Sequence, residues 1–558
     1  MKKRNWLYMV AVLTLILTVI GCQKKEASTE VKPAGNAESN MTEPGQYPIV
    51  KKPEPPITIA ISKGSIAGII DMNTNDATKW LEKKTNLNFE FNIGPEDPTE
   101  YQQKVNLMLA SNTDLPDVFL HGLGVDQIST YGQQGTFLAL NDYIDKYGVN
   151  IKKLMIKYPD LLKGVTAPDG NIYAIPGLNE CQHCMNSQKF WINQKWLDKL
   201  GKKLPETPDE LYEVLKAFKE NDMNENGKQD ELPLISMSDG WMNDLTGFLM
   251  NPFVISTGKG YDWLYLDQGE VKASYAQEGW RDGLGYLKKL YMDGLLDKEA
   301  FVLKSNQAPA LTGGPDGNRV GAFAAGALSN GVDIANPGAR EEFAALPPLK
   351  DSKGERKTPY IKPGAFPALV ISKSAKNPEA AFRMGDSFLT DFTEDEEWRE
   401  FFVGPEGKGW KKAGSGDIGL DGKPAVWIEL TSHGSLGNES WGVASRLYEP
   451  ARNKANLAVQ PGIFNQESIL YSASVNNYMP YQVDVVVPSV YYTEEEAQSM
   501  SEIKNQINRY VEENIFKFVT GEKDIEKNWD AYLKDLNKFG LENYIKTVQT
   551  AYDRQYKD

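Results

Sequence analysis

At 558 residues the chain exceeds what one hydrophobic core serves, so two or three lobes are expected. With 41% hydrophobic and 11% aromatic residues it can fill substantial cores. The net charge of −15 argues against nucleic acid, whose phosphates need a basic face, and against electrostatic docking on anionic lipid.

In residues 1–22, Lys2, Lys3 and Arg4 precede an apolar run from Trp6 to Ile20, which ends in Gly21-Cys22. This is the pattern of a bacterial export signal with a lipobox, cut after Gly21 so that the Cys22 thiol carries diacylglycerol. The run is too short for a permanent span, which needs about 20 apolar residues. The remainder is then expected outside the cytoplasm, held at the outer face of the cell membrane by lipid alone. Residues 23–56, rich in Lys, Glu, Pro, Ser, Asn and Gly, predict a disordered tether reaching about 30 Å.

Ile57-Thr58-Ile59-Ala60-Ile61 reads as a buried strand, Asp76 to Lys84 as a helix and Phe89 to Ile93 as a second strand. A helix through Tyr101, Val105 and Leu109 leads to a third short strand at Val118-Phe119-Leu120. Strand, helix, strand, helix, strand specifies a parallel α/β sheet covered on both faces. Asn141 is expected to cap the next helix, and Pro168-Asp169-Gly170-Asn171 to turn between two short strands. In the tail, Thr493 and Glu496 form a capping box. Ile503, Ile507, Val511 and Ile515 fall on one helical face, and Gly521 and Gly540 mark helix ends.

Cys181-Gln182-His183-Cys184 reads as a local disulfide staple; a redox motif and a metal half-site are the other readings the spacing admits. No second pair of metal ligands is read from the sequence, since only three histidines exist and His121 and His433 are far away in the chain.

The segments ASNTDLPDVF, TFLALNDYIDKYGVNI and PDGNIYAIPG resemble the family of extracellular solute-binding lipoproteins that feed sugars to ABC importers. FWINQKWLDKLGKKLPETPDELYEVLKAFKEND, PYIKPGAFPALVISKSAKNPEAAFRMGDSFLT and the tail from Tyr492 to Tyr552 continue the likeness. Within that family it is similar to the LplA-like branch, which includes alginate-oligosaccharide-binding proteins. The resemblance implies a two-lobed periplasmic-binding-protein-like (type II) fold with a hinge between discontinuous lobes. Lobe one is expected over residues 57–168 and 362–391, lobe two over 169–361 and 392–558. It further implies a monomeric, non-enzymatic binder that hands a sugar or oligosaccharide to permease subunits, with the ATPases on other chains.

Asp222, Asn224, Asn226, the Lys228 carbonyl, Asp230 and Glu231 place oxygen at alternating positions around Gly227. That is how a short loop wraps a hard cation, and it looks like the Ca2+ loop of the alginate-binding relatives. Pro233 stands where an EF-hand has its closing glutamate.

In two-lobed α/β binders the ligand lies beyond the carboxyl ends of the strands, which nominates Ser62, Lys63, His121 and the loop of Lys362. A sugar also needs flat aromatic rings, and Trp241 and Trp441 sit in polar loop contexts. The chain carries no G-x-S-x-G, H-E-x-x-H or phosphate-loop motif. Its 76 acidic residues leave a lipid-anchored glycoside hydrolase as the rival reading, with a peptide-binding or sensor lipoprotein as the others.

Overall fold

The computed structural model describes residues 39–430, 436–458 and 464–557. The export signal, Cys22 and the first part of the tether lie outside the described residues. Among the described residues no helix is long and apolar enough to cross a membrane.

The strands that position the site are β1 (Ile57–Ser62), β2 (Phe89–Gly94), β3 (Val118–Leu120), β4 (Ala174–Asn179), β5 (Phe190–Asn193), β6 (Ala322–Ala324), β7 (Phe343–Leu346), β8 (Ala365–Ile371) and β9 (Tyr448–Glu449). One sheet runs in the order β9-β4-β8-β3-β1-β2. The parallel pairing expected of β1, β2 and β3 is present, but β8 lies antiparallel between β3 and β4. Alternation along each strand feeds two faces. Ile57, Ile59, Ile61, Val118, Leu120, Leu369 and Ile371 enter one apolar core. Ala60, Phe119, Val370 and Ala174 enter another, where the Pro98–Ser111 helix adds Tyr101, Val105 and Leu109. Asp97 caps that helix by accepting from the Thr99 and Glu100 amides at 2.8 and 3.0 Å, and Pro98 stands at its first position.

The second large core is built on the sheet β6-β5-β7, whose outer strands both run antiparallel to β5. Around it pack the helices Pro208–Glu220, Glu278–Met292, Glu494–Val519, Ile525–Lys538 and Leu541–Tyr556. The Glu494–Val519 helix begins with the expected reciprocal bonds: Thr493 Oγ1 accepts from the Glu496 amide at 3.2 Å, and Glu496 Oε2 from the Thr493 amide at 2.8 Å. Ile507 and Val511 are buried along it.

Four local expectations are corrected. Asn141 does not cap its helix; its side chain accepts from the Ile172 amide at 2.9 Å and donates to the Gly170 carbonyl at 3.0 Å, pinning the turn instead. The folded chain begins earlier than Ile57, because Ile49 and Val50 are buried and Met41 bridges to Val50. Arg383 holds this strap by donating to the carbonyls of Thr42, Glu43 and Gln46 at 2.7, 2.8 and 3.3 Å. Third, β4, expected in lobe two, is a member of the first sheet. Phe392, Trp398, Phe401, Trp410, Trp427 and Tyr448, also expected in lobe two, fill the first core.

Trp441 is the fourth. It is 0% exposed, its Nε1 donates to Thr78 Oγ1 at 2.7 Å, and its ring meets Phe91, Phe388 and Phe401 edge-on at 5.4 to 5.7 Å. A polar loop flanks it only in sequence; in space it is a core residue with no face left for a ligand. Trp441→Ala is therefore expected to lower the unfolding free energy by about 3 to 5 kcal/mol, read as a fall in the urea midpoint. An unchanged midpoint would show the ring to be dispensable to the core.

Candidate functional site

The first sheet brings the carboxyl ends of β1 and β3 and the amino end of β8 to one edge, which gathers Ser62, Lys63, His121 and the loop of Lys362. Each of these side chains already has local partners. Ser62 Oγ accepts from the Ser65 amide at 3.1 Å, and Lys63 Nζ donates to the Ile69 carbonyl at 3.1 Å. His121 takes a left-handed backbone (φ 60°), and its Nε2 lies 2.8 Å from the Ala444 carbonyl, so that nitrogen carries the proton. Burial pushes the His121 pKa down, keeping the imidazole neutral. Lys362 Nζ lies 3.8 Å from Asp484 Oδ2 with both side chains exposed.

The second sheet offers its own edge where β6 ends and β5 begins. Here stands Trp241, 38% exposed. Its carbonyl accepts from the Gly326 amide at 2.8 Å, and its ring lies flat against Gly326, where an added Cβ would fall 2.4 Å from the ring. Only glycine allows that approach. The His183 ring meets Trp241 edge-on at 6.1 Å, and the Lys189 ammonium lies 5.8 Å from its centroid. Beside this loop opens a cavity of about 780 Å³. Trp241, Phe248, Trp263 and Phe516 supply apolar surface; Asp239, Asp244, Lys259 and Glu512 supply charge. Its lining comes from segments of the second core and, through Gln188 and Lys189, from the crossing that precedes β5.

Between the two edges the chain crosses from β4 to β5 through the short helix Gln182–Met185. Cys181 and Cys184 are paired as a disulfide across it. Lys189, fully buried, donates from Nζ to the His183 carbonyl at 2.8 Å and also to that of Asn186. Burial lowers its pKa to about 7, with the Glu467 carboxylate opposing the shift. His183 Nδ1 lies 3.3 Å from Glu467 Oε2 on the Gln466–Ala473 helix. Sequence reading singled out none of Lys189, His183 or Glu467 for the cleft. Their convergence depends on a helix far along the chain, and no local pattern marks Glu467.

The oxygen-rich loop closes on itself as its spacing predicts. Gly227 takes φ 77°, and Asp222 accepts from the Asn226 and Gly227 amides at 3.2 and 2.8 Å. Asp230 Oδ1 accepts from the Asn224 and Asn226 side chains at 3.3 and 3.1 Å, while Asp230 Oδ2 lies 3.1 Å from Arg319 Nε. Lys228 Nζ is engaged by Asp316 at 2.7 Å, which leaves only its carbonyl for a cation. Glu231 Oε1 accepts from the Met223 amide at 2.7 Å, and its Oε2 is buried without a hydrogen-bond partner. A buried carboxylate oxygen of that kind, on the same short loop as Asp222 and Asp230, is the donor type that a hard divalent cation of the calcium class takes.

A family model described as bacterial extracellular solute-binding protein matches residues 69–391. The chain is 27% identical over 509 residues, 87% of its length and 88% of the relative's, to the fructooligosaccharide ABC transporter substrate-binding protein FusA of Streptococcus pneumoniae serotype 4. It is 26% identical over 321 residues, 57% of its length and 60% of the relative's, to lipoprotein LipO of Bacillus subtilis. Among solved structures, FusA in complex with kestose superposes with a TM-score of 0.69 at 24% identity, covering 89% of this chain and 98% of that one. An EF-hand mutant of FusA in complex with fructo-nystose does so with the same score. The alginate-binding protein AlgQ2 without calcium ion gives 0.64 at 25% identity, covering 90% and 99%. With two cores joined by chain crossings and a family match over more than half its length, the chain belongs to the bacterial extracellular solute-binding protein family.

Proposed function

We propose that this chain is the substrate-binding component of an ABC importer and captures a sugar or oligosaccharide for delivery to membrane permease subunits. The observation that carries the reading is the exposed Trp241 ring, fixed on Gly326 at the second lobe's edge beside a cavity of about 780 Å³ lined by aromatic and charged side chains. Pyranose and furanose rings present apolar faces that stack on an indole, and hydroxyls that such charged groups can bond. Ligand bridging the two lobes favours the closed form by its differential affinity for that form. The ligand leaves unchanged, because the role requires binding and release and no bond is broken. FusA, which is similar over most of both chains, is named for fructooligosaccharide, and this supports an oligosaccharide over a peptide.

Ca2+ in the loop from Asp222 to Glu231 is a structural part of the proposal, supported by the partnerless Glu231 oxygen and by the EF-hand named in FusA. The lipid on Cys22 completes it: LipO, a lipoprotein, is a relative, and the export-signal pattern ends at that cysteine. The proposed lobe one spans residues 41–180 and 365–458, and lobe two spans residues 190–346 and 466–556, following the two cores.

Two measurements test this. In calorimetric titration with kestose, nystose and alginate or pectic oligosaccharides, one class is expected to bind, and at about 100-fold excess over Kd to add about 2.7 kcal/mol of stability. Trp241→Ala should then weaken binding at least about tenfold with little change in melting temperature. Binding that ignores this substitution, or sugar chains shortened after long incubation, would sink the reading in favour of another site or of a hydrolase. Separately, a chelator is expected to lower the melting temperature of the wild-type chain but not of Asp222→Ala. Equal curves with and without chelator would remove calcium from the account.

A further inference from the structure

The Cys181–Cys184 turn has partners that its own segment does not show. The sulfur and nitrogen atoms of Cys181, His183 and Cys184 all lie within 4.8 Å of one another. Cys181 Sγ is 3.3 Å from His183 Nδ1 and 3.4 Å from Nε2, and Nδ1 is 3.3 Å from Glu467 Oε2. A tetrahedral cation with metal–sulfur bonds of about 2.3 Å and metal–nitrogen or metal–oxygen bonds of about 2.0 Å has ligand–ligand edges of about 3.3 to 3.8 Å. The Cys181 Sγ–His183 Nδ1 and His183 Nδ1–Glu467 Oε2 separations, both 3.3 Å, fall at the short end of that range. Cys181, His183 and Glu467 are buried, so the enclosure is closed to solvent on three of its corners.

We propose that, when the Cys181–Cys184 disulfide is reduced, the two thiolates, His183 Nδ1 and Glu467 Oε2 form a closed four-ligand site for a thiophilic divalent cation of the zinc class. The chemistry balances with a dithiol as reductant. The donor gives two electrons and two protons, the S–S bond breaks to two thiols, and the donor leaves as its own cyclic disulfide. Metal binding then displaces both thiol protons and takes the position between Nδ1 and the carboxylate. Two sulfurs select against calcium and magnesium, which prefer oxygen alone. The surroundings suit the charge: two thiolates and a carboxylate around a divalent cation leave one net negative charge, and the Lys189 ammonium stands beside it, bonded to the His183 carbonyl. The oxidised and metal-bound forms exclude one another. Either one shapes the crossing segment, and the metal additionally ties it to the Gln466–Ala473 helix of the second lobe.

The test uses the folded chain reduced anaerobically with a dithiol, freed of it by desalting, and titrated with Co2+ and then Zn2+. A thiolate-to-cobalt charge-transfer band saturating at one equivalent is expected, bleached by Zn2+ and absent in unreduced protein. Cys184→Ser should abolish the band. Glu467→Gln and His183→Ala, which leave both sulfurs in place, should weaken Zn2+ binding by at least about tenfold and shift the cobalt ligand-field spectrum. Should Cys184→Ser fail to fold, these two variants carry the test. Titratable free thiols with no charge-transfer band would overturn the site, and so would a band unaffected by both substitutions.

Discussion

The structure depends on one strand. β8 enters the first sheet antiparallel between β3 and β4, after the chain has already built the β6-β5-β7 sheet of the second core. Backbone amides and carbonyls in the middle of a sheet must be paired, so the ladder on both sides of β8 obliges the chain to come back. The lobes are therefore discontinuous, and they are joined by several crossings instead of one flexible linker. Thr358–Pro359, on the way to β8, pairs with Gln482–Val483, on the way to the tail helices, which links two of those segments side by side. Such a joint permits hinge motion while restricting twist, as a closing cleft requires.

The same constraint sets the chemistry at the cleft. Ser62, His121 and the loop of Lys362 come together because β1, β3 and β8 are neighbours with those ends on one side. Their hydrogen bonds, such as that from His121 to the Ala444 carbonyl, fix the shape of that edge. Across the gap, Trp241 is held by Gly326 and flanked by His183, whose helix belongs to the crossing itself. Under the proposed function, a ligand resting on Trp241 would lie close to the segment that crosses between the lobes. That proximity is a physical route by which occupancy can bias closure.

Much of this was legible in the sequence, for stated reasons. The β-branched run at Ile57, the short apolar run at Val118 and the Thr493–Glu496 capping box are local signals, and local geometry honours them. The Asp222–Glu231 loop is legible because its oxygens are spaced within one turn. What failed needed long-range information. Trp441 reads as a loop aromatic because its neighbours in sequence are polar; Phe91, Phe388 and Phe401, which enclose it, come from three other segments. β4 and residues such as Phe392, Trp398, Trp427 and Tyr448 carry no local mark of which core they join, so sequence alone does not assign them to the first. The strap from Met41 to Val50 looked like tether by composition, and only the buried Arg383 shows why it is held.

The central claim is that a carbohydrate held between two hinged lobes stabilises their closed arrangement. Small-angle X-ray scattering on the soluble folded chain, before and after saturation with the oligosaccharide that binds it, tests this most directly. The account predicts a smaller radius of gyration in the saturated sample. An unchanged radius with the site demonstrably full would contradict it.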